Sequence, residues 1–474
     1  MSIKFTYTDS QQQAIIKFAE FVNSAKERVF ILKGYAGTGK TTLVKEFINR
    51  LQKNGKPFSL LASTGRAAKI LSNIAGVTAS TVHGEIYKFN DFNQDIESFA
   101  SDIENKNIIR SQLLLQFKIA GGGEKNQKET IYIVDEASMI SDEEDKDPVQ
   151  AVYGSGRLLT DLFSYAPKGK FVFVGDYCQL PPVKQRFSPA LTSGYFKRFD
   201  NTAVCEAELT EIVRQSKTND LVFASNKIRT LRDNPGKNKW AKFPLRGYKN
   251  IKIYNDKMAM INDYVNIIKK EGYNKATFIC RSNKTSVQLT SLIRPALGFY
   301  GDTLQKGDLL LVTQNNESGL MNGDLVKIAS IGERVRRANL TFINVQIEEL
   351  VTKKIFSKLL IEEIVYQNGI NLTKEQQRGL YIDYYHRMKK QNISPKSKEF
   401  KDNMLKDEYV NALRAVYGYV LTCHKAQGGE WDYVYLDIPR SLPLRPDNTA
   451  YQWLYTAMTR AREHLFIKDD FYLI

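Results

Sequence analysis

The stretch GYAGTGKTT, Gly34 to Thr42, lies between the apolar run RVFILKG and the run TTLVKEFINRLQKNG. The first run reads as a buried strand ending at Gly34. The second reads as a helix with Leu43, Phe47 and Leu51 on one face and Gly55 as its stop. Strand, glycine loop and helix in that order give the pattern G-x-x-x-x-G-K-[ST] its mechanism, and Gly34, Gly39, Lys40 and Thr41 fit it. The amides of Ala36, Gly37, Thr38, Gly39 and onward to Thr42 can surround phosphate oxygens at a helix N-terminus. Lys40 would reach the β- and γ-phosphates, and the Thr41 hydroxyl would hold Mg²⁺.

Further buried strands are expected at FSLLAS, TIYIVDE and KFVFVGD, with helical or loop material between them. That alternation predicts an α/β fold with parallel sheets covered by helices on both faces. A helix with Ala14, Ile15, Phe18, Phe21 and Val22 at helical spacing precedes the first strand. The strand IYIVD ends in Asp135, placed for the Mg²⁺ shell, with Glu136 beside it to polarise an attacking water. The pair argues for hydrolysis of a nucleotide triphosphate rather than binding alone.

At 474 residues the chain has room for several folded units, and its 42% hydrophobic and 25% charged residues are those of a globular protein. No apolar run reaches the roughly 18 residues that a membrane helix needs, and MSIKFTYTDSQQQ lacks the features of a signal peptide. A cytoplasmic location without membrane partners is expected. The four cysteines are scattered, with no CxxC and no His at ligand spacing, and read as small buried hydrophobes. Lys and Arg outnumber Asp and Glu by 68 to 52, and the net charge of +16 implies attraction for polyanions.

Longer motifs narrow the class. FVFVGDYCQLPPV resembles the third motif of superfamily 1 helicases, which implies that Gln179 senses the γ-phosphate. YTDSQQQAI resembles the Q motif, placing Gln11 at adenine; LTEIVRQ and LYTAMTRAREHL resemble the fourth and sixth motifs, placing Arg214 and Arg460 on the γ-phosphate. Arginines on a transferring phosphoryl group contribute roughly 10³ to 10⁵ in rate, so two from a second domain would tie hydrolysis to domain closure. LLASTGRAAKIL and ASTVHG resemble motif Ia and the TxH motif, and VLTCHKAQGGEW resembles motif V. By that resemblance Thr64, Thr81, His83, Thr422, His424 and Lys425 would touch a nucleic-acid backbone, with Gly428 and Glu430 nearer the nucleotide. Asn283 in CRSNK stands where the family has a TN pair. Ser63 replaces the usual Pro of motif Ia, and Arg281 and Ser282 replace the usual approach to Asn283.

The set of motifs resembles the RecD, Dda and Pif-like group, above all its phage Dda-type branch, whose members travel 5′→3′ on single-stranded DNA. That resemblance implies two RecA-like P-loop domains, 1–84 with 129–200 and 201–300 with 415–474. A pin-like insertion would fill 85–128, and an SH3-like barrel with a helical extension 301–414. Phe89, Phe92 and Phe99 of the first insertion are candidate surfaces on which a base could stack at the point of strand separation. The implied substrates are ATP with Mg²⁺, and the implied partners are single-stranded DNA, its junctions with duplex, and single-strand-binding or replication and recombination proteins. A monomer in a bacterial or phage-infected cell is expected. An RNA helicase of the same superfamily and an ATP-switched single-strand clamp are the alternatives, since backbone contacts do not distinguish the sugars.

Overall fold

The computed structural model describes residues 6–105, 111–121, 129–200, 202–213, 219–235, 240–315, 319–367, 369, 371–440, 442 and 449–474. The N-terminal helix Asp9–Asn23 begins with a capping box: the Thr8 hydroxyl accepts from the Gln11 amide, and the Gln11 side chain accepts from the Thr8 amide. Its buried face, Ala14, Ile15, Phe18, Phe21 and Val22, packs on the first sheet, where the Phe18 and Phe47 rings stack at 3.9 Å.

Six strands form that sheet, in the order Ala79–Thr81, Phe58–Ala62, Ile131–Asp135, Lys170–Gly175, Glu27–Gly34, Ala203–Leu209. All neighbours are parallel. The central strands are buried on both faces, which is why their sequences read as continuous apolar runs. The last strand corrects the expected boundary at 200/201: Ala203–Leu209 pairs with Glu27–Gly34 and completes the first unit. As an edge strand it is only half-buried, so its sequence carries no long apolar run.

A second parallel sheet is ordered Ile251–Tyr254, Ala461–Lys468, Trp431–Leu436, Ala276–Cys280, Val420–Thr422. Between its halves five antiparallel strands run Ile355–Ile361, Leu340–Glu349, Leu325–Arg337, Leu309–Val312, Ala415–Tyr417. A bridge between Leu360 and Leu413 brings the two edges of this sheet together. The strand 415–417 belongs to it, so the return to the second parallel sheet comes at Val420 rather than at 415. A buried ion pair fastens the two sheets: Arg294, on the helix Asn283–Leu297, meets both carboxylate oxygens of Asp308 at 2.9 Å, and Tyr419 donates to Asp308 at 2.6 Å.

The first insertion is a three-stranded sheet in which Tyr87–Phe92 and Leu115–Ile119 are joined by Ala151–Tyr153, from outside the expected range 85–128. Its apolar face is not free. Phe92, Ile96, Phe99 and Leu113 share one core with Phe342, Tyr381, Tyr384 and Tyr385 of the second insertion. Phe92 and Phe99 are 6% and 4% exposed, and Phe92 packs edge-on against Tyr381 at 5.3 Å. Neither ring can receive a base without unpacking this core, so the stacking role expected of them is replaced by a structural one. Phe89 is half-buried against Phe117. Cys178, Cys280 and Cys423 are buried and Cys205 is half-buried, all as free thiols. Among the described residues no helix is long and apolar enough to cross a membrane.

Candidate functional site

Three neighbouring strands of the first sheet end at one edge, and each delivers part of the site. Gly34 ends one, Asp135 another, and Gly175 the strand between them, followed at once by Asp176. Beyond Gly34 the loop turns through Gly37 and Gly39 at φ +82° and +84°, a region that L side chains rarely adopt. A Cβ on Gly34 would lie 2.6 Å from the Thr38 hydroxyl, and one on Gly39 would lie 2.6 Å from the Gln11 amide nitrogen. Lys40 folds back so that its ammonium donates to the carbonyls of Gly34 and Tyr35 at 2.7 and 3.0 Å. Thr41 and Thr42 are exposed at the start of the helix Lys40–Lys53.

Gln11 is fully buried, and both ends of its amide are engaged: Oε1 accepts from the Thr8 amide and Nε2 donates to the Thr38 carbonyl at 3.0 Å. It supports the loop from below, a different task from the adenine contact expected of it. Arg214 lies outside the described residues. The segment leading to it is bound to the first unit, since the Val213 amide donates to the Gly37 carbonyl at 2.9 Å and Glu211 accepts from the Ser10 amide.

Burial pushes the Asp135 carboxyl up and the Glu136 carboxylate pushes the same way, while the Glu136 backbone amide and Lys40 oppose them. Glu136 stands in the left-handed region at φ 51°, an uncommon conformation for a non-glycine residue and one that accumulates at functional turns. Gln179 is 3% exposed, and its Oε1 has no hydrogen-bond partner among the described residues. A buried acceptor without a donor costs about 1–3 kcal/mol, and such orphans mark places where a ligand or a moving group completes the network.

The facing wall comes from the second unit. The helix Thr449–Met458 lies across the cleft and carries Tyr455 and Thr456. Tyr455 accepts from the Ala36 amide at 3.1 Å and donates to Asp176 at 2.7 Å, while the Thr456 hydroxyl accepts from the Leu180 amide at 2.8 Å. Gln427 donates to the Leu180 carbonyl at 3.3 Å. A cavity of about 300 Å³ opens between Ala36 and Val222, Ser225, Thr459 and Arg462 of this wall. Arg460 is buried in its own unit, held by the carbonyls of Thr456 and Gly429 and by the Thr459 hydroxyl, so it borders the cleft without reaching the loop. On the flank the Arg229 guanidinium lies 3.6 Å over the Tyr35 ring. Tyr455, Thr456 and Gln427 stand inside the quoted motifs yet were not singled out from the sequence, because a hydroxyl or amide there gives no sign of its partner.

The expected track residues sit at element ends in both units. Thr64 caps the helix Gly65–Ala75 by accepting from Ala67, and Thr81 caps Val82–Ile86 by accepting from Gly84. His83 is exposed, with its ring beside Tyr87 and Tyr153. In the second unit Asn283, Thr422 and Lys425 line one cleft of about 540 Å³ between the helix Asn283–Leu297 and the antiparallel sheet. Burial lowers the Lys425 ammonium to about 8 and lowers the His424 imidazole as well. A Cβ built on Gly428 would meet both Thr64 and Ala67 at 3.4 Å, so this glycine faces the capped start of the helix Gly65–Ala75. Glu430 is exposed. Arg66, from the Thr64 helix, stacks 4.4 Å over Trp431 and joins the units at this seam.

Two parallel α/β units, one with a phosphate loop and an acidic strand end, the other laying an arginine-bearing motif across the cleft, define a two-domain fold of the P-loop nucleoside-triphosphatase class. A family model described as an AAA domain matches residues 6–239, and one described as a UvrD-like helicase C-terminal domain matches 417–467. The chain is 25% identical to the ATP-dependent DNA helicase Dda of Enterobacteria phage T4, over 97% of this chain and 98% of that protein. It is 23% identical to an uncharacterized protein of Methanocaldococcus jannaschii, covering 97% of this chain but only 37% of that protein's length. A solved structure of two Pif1 helicases coordinating on forked duplex DNA aligns with 99% of this chain and 94% of its own, at a TM-score of 0.52 and 16% identity, and so shares the fold. The chain is thus similar along nearly its whole length to the phage T4 helicase Dda, and over 93% of its length to the RecD2 DNA helicase of Deinococcus radiodurans, at 24% identity and 47% of that protein.

Proposed function

We propose that this chain is an ATP-dependent DNA helicase that moves 5′→3′ along single-stranded DNA and opens duplex ahead of it. The observation that carries the reading is the cleft itself: phosphate loop, Asp135, Glu136 and Gln179 on one sheet face the Arg460 segment of another across a hydrogen-bonded seam. Relative motion of the two units can then be set by what lies between them. Lys40, released from the Gly34 and Tyr35 carbonyls, would pair with phosphate; Glu136 would orient the attacking water; Gln179 would acquire the partner it lacks.

The donor set suits Mg²⁺. Among the described residues no cluster of three His, Cys, Asp or Glu could hold a metal, and a single carboxylate, Asp135, with the Thr41 hydroxyl fits an ion that takes its other ligands from phosphate and water. When bound, Mg²⁺ neutralises charge developing on the phosphates. Thr64, His83, Thr422, His424 and Lys425 would hold the strand backbone, and the net charge of +16 would draw it in.

Fork substrates with only a 5′ or only a 3′ tail, run beside single-stranded DNA-stimulated ATPase, test the whole reading. Unwinding from the 5′ tail is expected, with Lys40→Ala losing ATPase at least about 100-fold while still binding single strands. Unwinding from the 3′ tail alone would refute the polarity. Stimulation by RNA and not DNA would move the substrate, and binding without strand displacement would make the chain a clamp.

A further inference from the structure

Tyr455 stands in a place that neither the phosphate loop nor the arginine finger explains. Its ring is buried at 1% exposure on the helix Thr449–Met458 of the second unit, yet both bonds of its hydroxyl go to the first unit. It accepts from the Ala36 amide, one of the loop donors that would otherwise face phosphate, and it donates to Asp176, which follows the strand lying between those that carry Gly34 and Asp135. Asp176 is itself buried at 1% exposure, and its other carboxylate oxygen accepts from the Cys178 amide at 2.9 Å. The hydroxyl is therefore a three-way junction of phosphate loop, third motif and second unit.

From this geometry we propose that Tyr455 is a positioning residue that clamps the cleft: its oxygen occupies the Ala36 amide, and ATP must displace it to complete the phosphate cradle. The idea rests on the nucleotide-hydrolysing reading above and adds to it a means of control. Displacing the hydroxyl frees the helix Thr449–Met458 from the loop. The same seam reaches the track, because Gln427 follows directly on the helix Cys423–Ala426, which carries His424 and Lys425, and holds the Leu180 carbonyl. A strand seated on that helix shifts the seam and loosens Tyr455, so nucleotide entry is easier when DNA is bound.

Tyr455→Phe keeps the buried ring and removes only the hydroxyl. The expected result is a KM for ATP about three- to tenfold lower, the range that one net hydrogen bond spans. Basal ATPase without DNA should rise, and the stimulation ratio by single-stranded DNA should fall by a similar factor. Tyr435→Phe serves as the structural control, since Tyr435 donates to Asp263 at 2.8 Å wholly within the second unit and is equally buried. It should lower thermal stability and leave KM and the stimulation ratio as in the unaltered chain. An unchanged or raised KM in Tyr455→Phe, or the same KM shift in Tyr435→Phe, overturns the assignment. Calorimetric titration with ATP in the absence of turnover separates the two levels. An unaltered chain that binds no ATP sinks the proposed function together with this inference, whereas one that binds ATP no more weakly than Tyr455→Phe sinks the inference alone.

Discussion

Two of the seams that hold the chain together are of opposite chemistry. Across the nucleotide cleft the units meet through Tyr455, Thr456 and Gln427, whose hydroxyls and amide reach the Ala36 amide, Asp176 and the backbone of Leu180. Between the two insertions they meet through Phe92, Ile96, Phe99 and Leu113 packed on Phe342, Tyr381, Tyr384 and Tyr385. A hydrogen bond contributes about 1 kcal/mol net because water offers nearly the same bond when it breaks, whereas exposing a buried aromatic ring costs several times that. The polar seam is thus suited to opening and closing on each nucleotide, and the apolar seam to staying shut through the cycle. Motion at the cleft would then turn the joined insertions as one body.

The largest effect should come from the cleft side. Arg460→Ala is expected to lower single-stranded DNA-stimulated ATPase by about 10³-fold or more while the DNA dissociation constant changes little. Arg460→Lys should recover little, because an ammonium cannot span the Gly429 carbonyl, the Thr456 carbonyl and the Thr459 hydroxyl that now hold the planar fork. Steady-state ATPase beside fluorescence anisotropy of a labelled strand decides it, and a tenfold loss or less would remove Arg460 from the reaction.

The apolar seam is next. Phe99→Ala should cost about 3–5 kcal/mol in denaturant unfolding, the usual price of emptying a buried ring site, with Phe89→Ala, at a half-buried position, costing much less. If Phe99→Ala instead left stability intact and slowed only unwinding, the ring would be a stacking surface after all. Smaller again is Thr456→Val, which leaves the Leu180 amide without its acceptor and should destabilise by about 1–3 kcal/mol. Measured in a double-mutant cycle with Gln427→Leu, the two should couple through Leu180, whereas neither should couple to Phe99→Ala.

Why the sequence told these two seams so differently is a matter of what each residue type can mean. The loop Gly34 to Thr42 is legible because positive φ at Gly37 and Gly39 and a close approach at Gly34 leave few residue choices, and the buried strands beside it must be apolar on both faces. Phe92 and Phe99 are not legible in the same way, since an aromatic ring in an insertion serves a core and a base stack equally well, and only the presence of Tyr381 beside Phe92 decides. The boundary after residue 200 failed for a related reason: AVCEAEL is a half-buried edge strand whose alternation hides its membership in the sheet. Gln11 shows the converse, a residue found by motif whose neighbour, Thr38, gives it a different task.

The smallest predicted effect tests whether the polar seam extends to the DNA track. Lys425 lies on the helix Cys423–Ala426, directly before Gln427, and lines the cleft shared with Asn283 and Thr422. Burial favours its neutral form and lowers it to about 8, so the free protein carries the charge fully only below that pH. A phosphate contact requires the charged form. Single-strand affinity should therefore be nearly level from pH 6.5 to 7.5 and fall as pH rises through about 8, by up to tenfold per unit if one proton is taken up on binding. Lys425→Arg keeps its charge throughout and should flatten the profile. It should also keep the salt dependence of binding, whereas Lys425→Met should lower the salt slope by about one phosphate contact. A pH profile in which Lys425→Arg falls as steeply as the unaltered chain would take Lys425 out of the track and leave the polar seam ending at Gln427.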